Sequence, residues 1–372
     1  MKKFFLKINA WLHLWLGLVS GIIVIILSVT GCVLVFEHDF KALVYNYIHV
    51  EEQSADKQLP PSELYKKIKA VYPDKEVESV WYYGLDKSVK AGLEDFDSIL
   101  YVNPYSGEVL AAVDHDDIFH FMDEGHRRLW MPRKVGRQVV GWGTLVFFIV
   151  TVSGIIMWWP KKWNKRMVKQ SFTLNWKASL KRINYDLHNV LGFYSLTLAL
   201  LMALTGLIMA FPWMRKSVMW LSGGIPPRPK IEKVLKPADA PDPILQDALL
   251  TADKIWYKVR HEIAQFNTEA IIIHYPEPDE ETVYACTDMH NGRWRDLSFD
   301  RNSLALLPRT QKSIKDTNTA EWIARSNYAL HTGFIGGMPT KILYFSASLI
   351  CASLPITGFY IWWGKKRKKK KK

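Results

Sequence analysis

Cysteine is scarce in this chain, with only Cys32, Cys286 and Cys351 among 372 residues, and none of them falls in a CxxC pair or a metal-ligand spacing. That excludes a disulfide scaffold, a zinc ribbon and covalent attachment of a haem through CxxCH. Cys32 and Cys351 lie in apolar runs and read as small packing residues. No GxGxxG, Walker, HExxH or GxSxG motif occurs, so the chain has no nicotinamide or flavin domain and no zincin or serine-hydrolase site of the usual kind. Charge is missing altogether from four stretches, Trp11–Phe36, Val139–Pro160, Leu187–Phe211 and Ile342–Gly364. Each is about 20 residues or longer, and about 20 helical residues cross the ~30 Å hydrocarbon core of a bilayer. A soluble protein is thereby excluded, and so is disorder, which requires low hydrophobicity.

What charge there is falls unevenly. The start of the chain carries Lys2, Lys3 and Lys7, the segment Lys161–Asp186 carries eight Lys/Arg and a single Asp, and Lys365–Lys372 is an unbroken basic run. Basic residues in short loops stay on the cytoplasmic side. Both termini and the middle linker are therefore expected inside, with 37–138 and 212–341 outside. The basic tail abuts Trp362-Trp363 and reads as an anchor on anionic lipid headgroups rather than a nucleic-acid site. The first span is too long for a signal-peptide core, and no small-x-small cleavage site follows it, so it is expected to be retained.

The two halves of the chain repeat each other. At an offset of 175, Ile8-Asn9 falls on Ile183-Asn184, Leu12-His13 on Leu187-His188, Leu16-Gly17 on Leu191-Gly192 and Thr30-Gly31 on Thr205-Gly206. At offsets of 204–207, His126 falls on His331, Ser153-Gly154 on Thr357-Gly358 and Trp158-Trp159 on Trp362-Trp363. The expected fold is a membrane α-helical protein with four transmembrane helices, arranged as two parallel span–domain–span repeats. The boundaries are 1–36, span one; 37–138, outer module one; 139–160, span two; 161–186, basic linker; 187–211, span three; 212–341, outer module two; 342–364, span four; and 365–372, tail. Each outer segment reads as a small α+β module. The first has a helix at Pro61–Tyr72 and strands at Val77–Tyr83, Val89–Leu93 and Ile99–Val113, the last turning at Asn103–Gly107. The second has a helix at Ile244–Phe266 and strands at Ala270–Tyr275, Thr282–Thr287 and Trp294–Leu307, with a turn at His290-Asn291-Gly292. Gly223–Pro227 and Pro237–Pro243 read as linkers.

Four of the eleven histidines occupy repeat-equivalent places. His13 and His188 mark the inner ends of spans one and three, and His126 and His331 lie just outside spans two and four. An ionisable residue at a membrane span is a functional candidate by default. Two ligands per site is an informative number. Structural zinc wants four protein ligands and catalytic zinc three, whereas haem iron already has four porphyrin nitrogens and needs one or two axial ligands. Each pair therefore suits a b-type haem, giving two haems, one per membrane face. Gly17 and Gly192, one helical turn after the inner histidines, leave room for a flat macrocycle, and Gly154, Gly358, Gly31 and Gly206 recur at matching depths. From His126 to Trp158 a continuous helix would be about 48 Å long, so Pro132 and the Gly336–Pro339 segment are expected to break the helices and return the outer histidines toward the bilayer. His38 and His120 compete as outer ligands but fall outside the symmetric set.

These residues resemble the bacterial PepSY-associated transmembrane proteins, the iron-regulated inner-membrane group. The likeness rests on Leu12-His13 with Gly17, Leu187–Gly192, His126, Leu330–Gly333, the repeated Thr-Gly and the terminal Trp-Trp, and the Asn103–Leu110 hairpin is similar to the end of a PepSY module. The resemblance implies a four-helix inner-membrane protein with PepSY-like periplasmic modules. It also implies a di-haem reductase that releases iron from ferric siderophores. The sequence departs from the family pattern at Gly125-His126, where Leu usually precedes the histidine.

The reading that follows is a haem-dependent oxidoreductase passing electrons from a quinol or a cytoplasmic flavoprotein to a ferric siderophore or other ferric chelate outside, with no nucleic-acid partner. Trp81, Tyr82, Tyr83, Arg127 and Arg128 are candidates for chelate contact. A competing reading is a PepSY binding or regulatory protein whose helices serve only as anchors. A metal transporter would need more carboxylate, Met or Cys within its spans.

Overall fold

The computed structural model describes residues 2–114, 116–160, 163–224, 245–264, 269–276 and 281–370. Statements below concern those residues. The chain divides into two compact units. Unit one is Met1–Glu37, Ile118–Val218 and Asn327–Lys372, and unit two is His38–Asp117 and Met219–Ser326.

Unit one is helical. Its long helices are α1 (Lys2–Leu34), α5 (Arg133–Trp158), α8 (Gly192–Ala210) and α12 (Gly337–Lys370), and a shorter α4 (Ile118–Arg128) precedes α5. A short α6 (Lys165–Phe172) and then α7 (Leu180–Asp186) lead through one π-helical turn, Leu187–Leu191, into α8; α9 (Pro212–Leu221), of unit one as far as Val218, follows it, and α11 (Thr319–Thr332), of unit one from Asn327, precedes α12. Four helices are long and apolar enough to cross a membrane. They extend past the charge-free runs because flanking basic residues continue the same helices. Contacts link α1 to α5, α5 to α8, α8 to α12 and α12 to α1. Large apolar side chains stay on the surface, Val19 at 77% exposure and Ile22 at 72%, a pattern that suits lipid and not water. Small residues fill the helix contacts, as expected where burial from water drives nothing. A Cβ on Gly21 would come within 3.1 Å of Pro355, the proline inside α12.

Sharp turns interrupt the chain as the breaker residues suggest. Between α4 and α5 the backbone passes through left-handed Leu129 (φ 52°) and Trp130 (φ 55°) before Pro132, and between α11 and α12 it turns at Gly333 (φ 78°) and Gly337 (φ 67°). Both shorter helices are thus folded back against the long ones, with α4 on α1 and α5.

Unit two contains α2 (Glu37–Val44, apart from its first residue), α3 (Pro61–Val71), β1 (Val77–Tyr82), β2 (Val89–Leu93), β3 (Ser98–Val102), β4 (Val109–Asp114), α10 (Leu245–Lys258), β5 (Ile271–His274), β6 (Thr282–Thr287) and β7 (Arg295–Asp300). The two outer segments each supply the helix and the meander read from the sequence, but they are not separate modules. They form one antiparallel sheet in the order β4-β3-β2-β1-β5-β6-β7. The junction pairs Val80 with Ile273 and Trp81 with Ile272. An unpaired strand edge invites aggregation, and joining β1 to β5 removes one such edge from each segment. A single apolar core runs across the junction, including Leu64 and Ile68 of α3, Ile255 and Trp256 of α10, and Ile273, Leu297 and Phe299 of the sheet. Ser62 of α3 donates from its amide and hydroxyl to the Asp253 carboxylate of α10, at 2.8 and 2.6 Å.

Smaller differences concern lengths. The second helix is α-helical only to Lys258 and ends in a π-helical turn, Val259–Ile263, while Phe266 lies outside the described residues. The strand expected over Trp294–Leu307 stops at Asp300, whose carboxylate accepts from the Ser303 amide and turns the chain; only a Phe299–Leu306 bridge continues the pairing. Of the linkers, 225–227 and 237–243 lie outside the described residues.

Candidate metal centres

Two histidine pairs face each other inside unit one. His13 of α1 and His188 of the π-helical turn have ring centroids 6.4 Å apart, and His126 of α4 and His331 of α11 have centroids 6.0 Å apart. Two imidazoles on opposite sides of one metal, with roughly 2 Å metal–nitrogen bonds, have centroids about 6 Å apart. Each pair is therefore spaced to hold one ion between its rings. The ring shown against His331 is that of His126. The π-helical turn widens the helix where His188 sits, a distortion common at functional sites.

All four rings are fixed in the same way. His13 Nδ1 lies 3.1 Å from the Val150 carbonyl and 2.7 Å from Ser153 Oγ. For His188 the partners are the Leu354 carbonyl at 3.1 Å and Thr357 Oγ1 at 2.9 Å. His331 meets the Met202 carbonyl at 3.1 Å and Thr205 Oγ1 at 3.0 Å. His126 meets Thr30 Oγ1 at 3.0 Å, with the Leu27 carbonyl as the corresponding backbone acceptor. In each case the hydroxyl proton is already spent on the receiving helix's own backbone, as in Ser153 to Val150 and Thr205 to Leu201, both at 2.7 Å. The hydroxyl oxygen can then only accept, a carbonyl always accepts, and Nδ1 must carry the proton. Nε2 is left with its lone pair, the form in which histidine binds a metal.

The glycine after each hydroxyl has a specific task. A Cβ at Gly154 would lie 3.3 Å from His13 Cε1, at Gly358 3.2 Å from His188, at Gly31 3.3 Å from His126, and at Gly206 3.4 Å from His331. Each glycine lets one imidazole lie against its helix. Gly17 and Gly192 do something else: their nearest neighbours are Val150 and Leu354, at ordinary contact distance. Both line a cavity of about 330 Å³ that also takes in His13, His188, Ser20, Val24, Phe147 and Trp158. Its size falls in the range of small-molecule sites, about 300–1,000 Å³.

No group of three or more His, Cys, Asp or Glu able to hold a metal ion occurs among the described residues. A family model described as PepSY-associated TM region matches residues 10–365. The chain belongs to that family. A search of curated proteins gave no match.

In this PepSY-associated TM chain the unusual glycine before the outer histidine has a local cause. The Trp130 indole stacks on Phe121 at 4.9 Å, donates to the Phe121 carbonyl at 2.8 Å, and lies so close over Gly125 that any Cβ there would overlap it. The leucine typical of the family would displace Trp130. Of the residues singled out for chelate contact, Tyr82 is core, its hydroxyl donating to the Leu59 carbonyl at 2.8 Å. Trp81 bonds Ser79, Tyr83 sits 5.1 Å from Lys90 Nζ, and Arg127 and Arg128 pair with Asp123 and Glu124 on their own helix. Sequence reasoning missed the hydroxyls of Ser153, Thr357, Thr30 and Thr205 as partners of the histidines. The signal was the Ser/Thr-Gly dipeptide occurring at all four sites.

Proposed function

We propose that this protein is an inner-membrane di-haem b oxidoreductase that delivers electrons to a ferric chelate on the outer side of the membrane, with a ferric siderophore as the substrate class. One observation carries the reading: two imidazole pairs, each about 6 Å across, with all four Nε2 lone pairs freed by the same Nδ1 lock. A pair of neutral imidazoles is an incomplete site for zinc, which takes three or four protein ligands. It is a complete axial set for an iron that brings its own four nitrogens.

The residues divide the work accordingly. His13 and His188 would hold the inner haem, with Gly17 and Gly192 opening the cavity beside them; His126 and His331 would hold the outer one. Bound haem supplies one-electron chemistry at iron. Ser153, Thr357, Thr30 and Thr205 keep the imidazole tautomer constant, so ligation needs no proton release. The lining of the inner cavity is mostly apolar, with Val24, Phe147, Leu196 and Leu354 among its residues. The basic residues of Lys161–Asp186 and Lys365–Lys372 favour the cytoplasmic side for both termini. On that orientation electrons enter from a quinol or a flavoprotein at the His13/His188 end and leave at the His126/His331 end. Each ferric ion reduced takes one electron, and Fe(II) leaves a hard oxygen chelator more readily than Fe(III) does. The two span–domain–span halves act as parallel repeats, and each centre takes one histidine from either half.

The test is anaerobic. Purified protein is reduced in detergent and mixed with a ferric hydroxamate and a ferrous trap. Haem reoxidation is expected in step with the colour of the trapped Fe(II), and His331→Ala should slow it strongly. Haems that stay reduced with every ferric chelate but reoxidise with another acceptor would end the iron-reductase assignment.

A further inference from the structure

Among the described residues, three of the four histidines are preceded by an asparagine that contacts the same neighbouring helix, and the fourth is preceded by Met122. Asn9 Nδ2 donates to the Ser153 carbonyl, Asn184 Nδ2 to the Thr357 carbonyl and Asn327 Nδ2 to the Thr205 carbonyl, all at 3.1 Å. Each asparagine stands four residues before its histidine, on the same helix face. Each bonds the carbonyl of the residue whose hydroxyl receives that histidine's Nδ1–H. The asparagine and histidine therefore grip one short segment of the neighbouring helix at two points a turn apart. That fixes both the height and the rotation of the histidine-bearing helix. Asn9 and Asn327 are buried, at 7% and 6% exposure, where an amide bond is not diluted by water.

At His126 the equivalent residue is Met122, whose side chain has no N–H to donate. The helix that carries His126 also ends differently from the one that carries His331. α4 ends in two successive left-handed non-glycine residues, Leu129 and Trp130, whereas α11 ends at Gly333, for which that conformation is free of strain. Thr30 holds the His126 ring, and the asparagine contact made before the other three histidines has no counterpart at Met122.

We infer that Asn9, Asn184 and Asn327 are positioning residues that clamp their histidines, and that unclamped His126 is the one axial ligand able to leave its metal and admit a small exogenous ligand. The inference rests on the di-haem reading. The exchange is redox-neutral: the bond from iron to His126 Nε2 breaks, a bond to the incoming ligand forms, and no proton or electron moves. Ligand access is thereby confined to the outer centre, while the inner centre stays closed on both faces by Asn9 and Asn184.

The experiment adds carbon monoxide to the dithionite-reduced, full-length protein in detergent and follows the absorbance spectrum. About half of the haem, that of one centre of two, is expected to form the adduct. Removing an outer-shell partner of a metal-bound histidine typically changes affinity by about 10- to 100-fold. Met122→Asn, which supplies the missing amide, is expected to weaken CO binding by about that factor. Asn9→Ala or Asn184→Ala is expected to let the second half of the haem react, which also covers the case in which Met122→Asn does not fold. Two haems per chain with no CO adduct, or an adduct that Met122→Asn leaves unchanged in a folded protein, would overturn the inference while leaving the di-haem reading intact. A folded preparation without haem absorbance before CO is added would overturn both.

Discussion

Adding one methyl group at Gly358 tests whether the imidazole lock matters. The new Cβ would lie 3.2 Å from His188 Cε1, a few tenths of an ångström inside ordinary contact. The backbone there is helical, so alanine brings no conformational penalty, and its helix propensity is better than glycine's by about 1 kcal/mol. The ring cannot simply retreat, because its Nδ1 bonds to the Leu354 carbonyl at 3.1 Å and Thr357 Oγ1 at 2.9 Å would lengthen. Overpacking of this kind costs about 1–3 kcal/mol, which at about 1.4 kcal/mol per decade is roughly a 5- to 140-fold loss of affinity for a group held by His188. The assay is haem content by pyridine haemochrome after purification, with circular dichroism to report helix content. Gly358→Ala should lose the inner haem and keep its helices. Gly364→Ala should keep both haems, since that helical glycine's nearest neighbour is the Lys181 side chain at an ordinary 3.9 Å. An unchanged, fully occupied inner haem in Gly358→Ala would mean that the close fit at His188 does not set haem affinity.

Further outcomes follow from the same geometry. His13→Ala and His188→Ala should remove the same spectral component, and His126→Ala and His331→Ala the other; loss of one component in both His13→Ala and His331→Ala would contradict the pairing. Gly17→Ala meets Val150 at an ordinary 3.7 Å, so it should leave the apoprotein's thermal stability unchanged while lowering haem occupancy, measured on cofactor-depleted and reconstituted protein. In unit two, hydrogen bonds from Lys69 and Tyr65 hold the Glu76 carboxyl below its ordinary range. Its stabilisation is present above the unfolded carboxylate pKa and lost as pH falls through the lowered folded value. Glu76→Gln should therefore flatten the acid limb of stability against pH, read as hydrogen exchange in β1 and β2. Phe299→Ala, which empties a fully buried site in the shared core, should cost about 3–5 kcal/mol.

Much of unit one was legible because membrane helices advertise themselves. Twenty residues without charge leave few alternatives, and His13, His188, His126 and His331 stood out as polar groups where lipid disfavours them. The fold-back of α4 and α11 followed from helix length against bilayer thickness, with Pro132 and the Gly336–Pro339 segment as breakers. The shared sheet was not legible. β1 and β5 alternate equally well whether their edges pair with each other or face solvent, and pairing across nearly two hundred residues leaves no local mark. Spacing singled out six glycines together, but only coordinates show that Gly31, Gly154, Gly206 and Gly358 each lie against an imidazole and that Gly17 and Gly192 do not. The asparagine clamps were hidden for a similar reason: Asn9 and Asn184 counted as repeat identities, with no sign of the carbonyls they reach.

The di-haem reading is tested by an absorbance measurement of the purified full-length protein, oxidised and then dithionite-reduced, with haem quantified per chain. It predicts a b-type spectrum with about two haems, one for each pair of axial ligands. A folded, monodisperse preparation with no haem absorbance would contradict it.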